Sequence, residues 1–342
     1  MKTRIIHYKG IESLKPAADI LCEGGLVAFP TETVYGLGGN ALDPLAAKKI
    51  YAAKGRPSDN PLIVHLSSYF DAERYAVTDR LFDRIAETLM PGPLTVILKK
   101  RPNIPDSVTG GLDTVGIRVP SHPIARALIT LAGVPVAAPS ANLSGKPSPT
   151  SFTHVLHDLD GKVDCIIDGG SSEYGLESTI IKPDNGVIKL LRPGAVTVEM
   201  LSLFGCPIEI DPAVTRKFDG IPLAPGMKYR HYAPDKPLII LEGRDESVYR
   251  FLANKSKRAV ICFDEDMPYI EGRFVLSCGR KDDSLSQAQR LFSCLRSLDN
   301  LPDIDVIYAR MPSKVGIGLA VFNRLIKAAG YQVIKLDTPY AE

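Results

Sequence analysis

Short apolar runs and amphipathic stretches alternate along the first two hundred residues. Residues 13–24 carry apolar side chains at helical spacing and stop at Gly24-Gly25, which predicts a helix. A short apolar strand, 26–29, follows, and Pro30 ends it. Next comes a loop of two hydroxyls and one carboxylate, Thr31-Glu32-Thr33, and then Tyr35, Gly36, Gly38 and Gly39, which read as a glycine-rich loop. A helix is predicted over 43–53, with Asp43 as N-cap and Pro44 at the first position. The cluster Lys54-Gly55-Arg56-Pro57 closes it, and Asn60-Pro61 leads into a second apolar strand ending at His65. Strand, glycine loop, helix, cationic turn and strand form a unit able to hold a phosphorylated ligand. The same pattern also fits a plain βαβ unit with a solvated charge pair.

The pattern continues with a helix over 78–90, whose Leu81, Phe82, Ile85, Ala86 and Leu89 share one face. Strands are predicted at 94–98, 114–119, 134–138 and 165–168, with helices over 122–131 and from 150. Residues 108–113 read as a glycine-rich turn. Polar loops follow two of these strands, at 139–146 and at 175–179 (GLEST), and a hairpin turns at Asn185-Gly186 and ends at Arg192-Pro193-Gly194. This organisation predicts one α/β domain over 1–205. Residues 206–236 are rich in proline and hold APGMKYRHYAP, too aromatic and cationic for an inert linker. From 237 onward, strands at 238–242, 259–263, 274–277, 305–309 and 332–336 alternate with helices near 246–254, 284–297 and 317–329. That alternation predicts a smaller doubly wound, Rossmann-like domain over 237–342.

Composition narrows the class of function. With 342 residues and 45% hydrophobic content, two sizeable cores can form. A net charge of +2 is too balanced to indicate a nucleic-acid binder by itself, although a local basic groove stays open. The cysteines at 22, 165, 206, 262, 278 and 294 have no metal-clip spacing, so they read as reduced thiols of a cytoplasmic protein, and no protein-held metal is expected. No apolar run approaches a membrane span, and no membrane association is expected. GxxxxGK[ST], GxSxG and HExxH are all absent. Arg118, inside the apolar strand TVGIRVP, reads either as a residue in a salt bridge or at an edge position or as an anion clamp, and the residues leave both readings open.

Several blocks then fall in one continuous order: PTETVYGLG, the Lys54-Gly55-Arg56 cluster, NPLIVH, PGPLTVIL, VGIRVP and APSANLSGKPSPT. Together they resemble the YrdC-domain family, whose KxR…SxN signature is matched by Lys54, Arg56, Ser140 and Asn142. The resemblance covers residues 12 to 200, and the 206–236 segment with its following domain resembles the two-domain threonylcarbamoyladenylate synthases. It implies an α/β fold around a twisted mixed sheet with a basic cleft. The implied enzyme is a nucleotidyltransferase that condenses L-threonine, bicarbonate (or CO₂) and ATP into threonylcarbamoyl-AMP and pyrophosphate. A partner complex would then pass the threonylcarbamoyl group to adenosine 37 of tRNAs reading ANN codons.

By the same resemblance, Lys54 and Arg56 are catalytic and neutralise triphosphate and carbamate charge. Thr33, His65, Arg118, Ala138 and Ser178 would surround L-threonine, with Arg118 on its carboxylate. Arg56, Asn60, Thr114, Ser140, Asn142, Ser148, Arg192 and His231 would hold ATP. His231 and Tyr232 would reach back over the cleft as a lid, and Mg²⁺ would enter on the phosphates rather than in a protein cage. The alternative is a module that grips double-stranded RNA or tRNA without chemistry. The modest charge and the lack of interleaved aromatics weigh against that as the main role.

Overall fold

A computed structural model describes residues 2–217, 220, 222–225, 232–299 and 301–337. The core of the expected lid segment, 226–231, and with it His231, lies outside the described residues. The chain forms two compact units, one built mainly from residues up to Val214 and the other mainly from residues after Tyr232.

The first unit is organised by one mixed sheet. Its strands are β1 Arg4–His7, β2 Val27–Phe29, β3 Gly36–Asn40, β4 Ile63–His65, β5 Leu94–Lys99, β6 Thr114–Arg118, β7 Val136–Ala138, β8 Cys165–Asp168, β9 Thr179–Asp184, β10 Val187–Arg192 and β11 Ile208–Ile210. They lie in the order β1-β8-β2-β3-β7-β4-β6-β5-β9-β10-β11. Helices Lys15–Cys22 and Pro123–Ala132 cover part of it. Leu14, Ala17, Leu21, Leu128 and Ile129 bury their apolar stripe against Val27, Phe29, Val136, Cys165 and Ile167.

Local chemistry sets the ends of the central helix, Pro44–Lys54. The Asp43 carboxylate accepts from the Leu45 N–H at 2.8 Å, and Gly55 leaves the helix in a left-handed conformation at φ 61°. The glycine-rich stretch before it differs from the loop expected from the sequence. Gly36–Asn40 is a strand, paired with β2 and β7, and so not a phosphate cradle. Its glycines serve close packing rather than turning. A Cβ at Gly38 would stand 2.6 Å from Val136 Cγ1 and 2.8 Å from Phe29 Cε1.

Residues 206–214 also depart from a plain linker. β11 extends the sheet alongside β10, and Ala213 and Ala224 join Ile63, Ile97, Ile180 and Leu191 in a buried cluster. Of residues 108–113, expected as turn, Val108 and Thr109 belong to a short helix, Asp106–Thr109, that Gly110 ends at φ 63°.

The second unit matches its expected alternation closely. Strands β12 Leu238–Glu242, β13 Arg258–Cys262, β14 Val275–Ser277, β15 Val306–Arg310 and β16 Val333–Lys335 pair in parallel in the order β14-β13-β15-β12-β16. Three helices, Asp245–Ala253, Ser284–Ser297 and Ile317–Ala328, connect them. Tyr232 is buried within this unit, its ring 5.1 Å from that of Phe292. All six cysteines are free thiols. Among the described residues, no helix is long and apolar enough to cross a membrane.

The packing at Gly38 gives a direct test. Gly38→Ala is expected to lower unfolding stability by about 1–3 kcal/mol through overpacking, measured by urea denaturation. An unchanged midpoint would show that Phe29 and Val136 can move aside.

Candidate active site

Strand register assembles the site. β4 and β6 run parallel and pair His65 with Arg118, while β5 and β6 run antiparallel and pair Arg118 with Thr95. Paired residues share a face, so the three side chains stand in one row. Two residues along, Ala138, Ile63 and Gly116 form the next row. There a Cβ at Gly116 would press on Thr95 Cγ2 at 3.1 Å and Ile97 Cδ1 at 3.2 Å. Gly116 thus makes room for the side chains of Thr95, Ile97 and Ile63 around it.

Arg118 is the centre of the row. Its Nη2 donates to Glu32 Oε1 at 2.6 Å and Thr33 Oγ1 at 2.8 Å, with Thr31 Oγ1 at 3.5 Å. The sequence left an ion pair and an anion clamp open, and the protein's own partner is Glu32, only 1% exposed. Glu32 was noted in the sequence only as a loop carboxylate. Ser178 is brought to the same row, its hydroxyl 2.8 Å from Thr95 Oγ1. Arg192, at the end of β10, donates from Nη2 to Ser178 Oγ at 3.2 Å and from Nε to the Ser178 carbonyl at 3.0 Å. Its Nη1 donates to the Pro225 carbonyl at 3.3 Å, so the proline-rich segment reaches this end of the site.

His65 is fully enclosed, with Nδ1 3.0 Å from the Ile63 carbonyl and its ring set edge-on to Phe29. Burial, helped by the Arg118 charge, pushes its pKa down to about 3, so the ring is neutral at pH 7.

The signature residues gather toward the opposite ends of these strands. Lys54 is buried, and its Nζ donates to the carbonyls of Ser140 (2.5 Å) and Asn142. Ser140 Oγ donates to Asn142 Oδ1 at 2.5 Å, and the Asn142 amide donates to the Leu143 carbonyl at 2.7 Å. Lys54, Ser140 and Asn142 are therefore one network. Arg56 clasps the turn into β4, donating from Nη2 to the carbonyls of Asn60 (3.3 Å) and Pro61 (3.1 Å). Asn60 is buried with its side-chain Oδ1 unpartnered, and Thr114 begins β6 half-buried. Ser148 donates to Glu177 Oε1 at 2.5 Å, the buried carboxylate of the GLEST loop, adjacent to Ser178.

The described site residues thus form two groups on one sheet. One is the Arg118 row with Thr33, His65, Ser178 and Arg192. The other is the Lys54–Ser140–Asn142 network with Arg56, Asn60 and Thr114. Such a set can bind a small zwitterion at one end and a phosphorylated group at the other. It supplies cations and donors but no activated nucleophile.

Known proteins share this architecture. A family model described as "Telomere recombination", covering the Sua5, YciO and YrdC proteins, matches residues 19–194, and a model described as "Threonylcarbamoyl-AMP synthase, C-terminal domain" matches residues 196–330. The chain is 46% identical over 346 residues to the threonylcarbamoyl-AMP synthase of Pyrococcus abyssi, covering 98% of both proteins. It is 46% identical over 328 residues to that of Bacillus subtilis, covering 93% of each. The crystal structure of P. abyssi Sua5 complexed with L-threonine superposes with a TM-score of 0.91 at 44% identity, over 98% of this chain and 99% of that one. On this evidence of sequence, fold and domain order, the chain belongs to the threonylcarbamoyl-AMP synthase family.

Proposed function

We propose that the protein condenses L-threonine, bicarbonate or CO₂, and ATP into threonylcarbamoyl-AMP and pyrophosphate. The observation that carries this reading is the Arg118 row of buried polar groups, set on one sheet face with the Lys54–Ser140–Asn142 network at the other end of the strands. L-Threonine lies in the row, its carboxylate on Arg118, with Thr33, Ser178 and neutral His65 around it and Ala138 beneath. ATP lies toward Arg56, Asn60, Thr114, Ser140, Asn142 and Ser148, with Arg192 at the junction.

The neutral substrate amine first adds to the carbon of CO₂ and releases a proton to give a carbamate, or reacts with bicarbonate to the same carbamate with release of water. A carbamate oxygen then attacks the α-phosphorus, and the bond to the departing pyrophosphate breaks, which makes this nucleotidyl transfer. Negative charge accumulates on both reactants, so the work of the site is positioning and charge stabilisation. Arg56 supports the phosphates. Lys54 acts first on geometry, because its ammonium fixes the backbone that presents Ser140 and Asn142. Mg²⁺ bound to the triphosphate would neutralise part of its charge. Among the described residues, no group of three or more His, Cys, Asp or Glu offers a cage for it. The lid role rests on the segment that carries His231, with Tyr232 packed on Phe292 as its anchor, and the Arg192–Pro225 hydrogen bond supports a linker that approaches the site. In this reading the labile adenylate serves as the donor for a tRNA-modifying complex in the cytoplasm.

Pyrophosphate release is expected only when ATP, L-threonine and bicarbonate are all present. Release from ATP alone would overturn the reading. Arg56→Ala is expected to abolish turnover and to lower stability less than Lys54→Ala, because Arg56 is only partly buried whereas Lys54 is buried. Lys54→Ala is expected to abolish it and also to cost about 1–3 kcal/mol, because the carbonyls it satisfies are left buried. Equal stability of the two variants by denaturant titration would refute the distinction.

His65 adds a pH signature. Its folded pKa of about 3 lies below the ordinary 6.5, so the unfolded chain binds the proton more readily. The stability linked to the neutral ring is complete above pH 6.5 and falls as pH drops toward 3, with a slope of up to about 1.4 kcal/mol per pH unit. His65→Gln is expected to flatten the stability curve between pH 6 and pH 4. A curve parallel to that of the unaltered protein would sink this assignment.

A further inference from the structure

Buried inside the first unit, Glu32 is a titratable group that the mechanism above does not use. Its Oε1 is taken by Arg118 at 2.6 Å, while its Oε2 is enclosed and has no hydrogen-bond partner. Across the same ion pair, Arg118 Nε is likewise enclosed without a partner. An unmatched acceptor and an unmatched donor therefore flank one 2.6 Å contact. Leaving both unpaired in the interior is costly, the more so because both groups carry charge. The 31–33 loop is not free to relieve that cost. Thr31 Oγ1 donates to the Val34 carbonyl at 2.6 Å and lies 2.8 Å from Thr33 Oγ1, while the Glu32 carbonyl accepts from the Tyr174 N–H at 2.8 Å.

We propose that Glu32 holds the amino group of the amino-acid substrate, accepting its N–H at Oε2 while Arg118 takes the carboxylate. This assignment rests on the function proposed above and adds a specificity residue to it. The charges of Glu32 and Arg118 sum to zero, as do those of a zwitterionic amino acid. An anion and a cation held side by side match an ammonium and a carboxylate separated by a single carbon. A lone arginine would select any small carboxylate. Adding Glu32 restricts the site to carboxylates with an adjacent amine, the atom that must attack the one-carbon acid. Acceptance at Oε2 also fixes where that nitrogen sits.

Calorimetric titration with two ligands tests the assignment. L-Threonine and 3-hydroxybutanoate share a carboxylate and a β-hydroxyl, and only the first carries the amine. The unaltered protein is expected to prefer L-threonine by at least tenfold. Glu32→Gln is expected to lose most of that preference, through weaker L-threonine binding, while its affinity for 3-hydroxybutanoate stays within twofold. Should Glu32→Gln fail to fold, Glu32→Asp keeps the charge and withdraws Oε2, and the same narrowing is expected. Equal loss of both ligands would overturn the proposal, since Glu32 would then act only by orienting Arg118. An unchanged preference would overturn it as well. If the unaltered protein binds no L-threonine, the proposed function fails and this assignment fails with it.

Discussion

Two opposite charges buried together are expensive to desolvate, and they persist only where the surrounding geometry is tight. The Arg118–Glu32 pair meets that condition because three chain segments converge on it. Arg118 stands at the end of β6, in register with His65 and Thr95, and Glu32 sits in a loop tied to Thr33 and to the Tyr174 backbone. The rest of the site is arranged around this contact. Neutral His65 lies beside it because a second positive charge there would be repelled by Arg118 and starved of water. Ser178, Thr95 and Arg192 extend the row as a chain of hydrogen bonds running from β5 through β9 to β10.

Space is the second constraint. Small residues let larger neighbours close over the sheet. Gly116 of β6 leaves room for the side chains of Thr95, Ile97 and Ile63, and the glycines of β3 let Phe29 and Val136 pack closely against the backbone. The same absence of side chains weakens strand propensity, so β3 depends on its partners on both sides.

Lys54 illustrates how a signature cation can act through structure. A buried ammonium needs acceptors, and it finds them in the carbonyls that follow β7. The helix that carries it is fixed at one end by Asp43 and at the other by Gly55. Local capping chemistry is thereby transmitted to the Ser140–Asn142 loop, more than eighty residues away in sequence.

Much of this was legible in the sequence. Short apolar runs alternating with amphipathic stretches located the second unit nearly residue by residue, because its parallel strands are buried runs and its helices keep one apolar face. The cap at Asp43, the hairpin at Asn185-Gly186 and the ordered blocks shared with the YrdC-domain family were equally plain, since each depends on residue type at a fixed local spacing. Tertiary structure alone decided the remainder. Gly36–Asn40 looks like a loop by propensity and is a strand by partnership. β11 extends the sheet from a segment that local pattern reads as linker. The partner of Arg118 lies 86 residues away, and that of Ser148 lies 29 away. No local pattern encodes such pairings, because strand register and the path of each loop through space determine them.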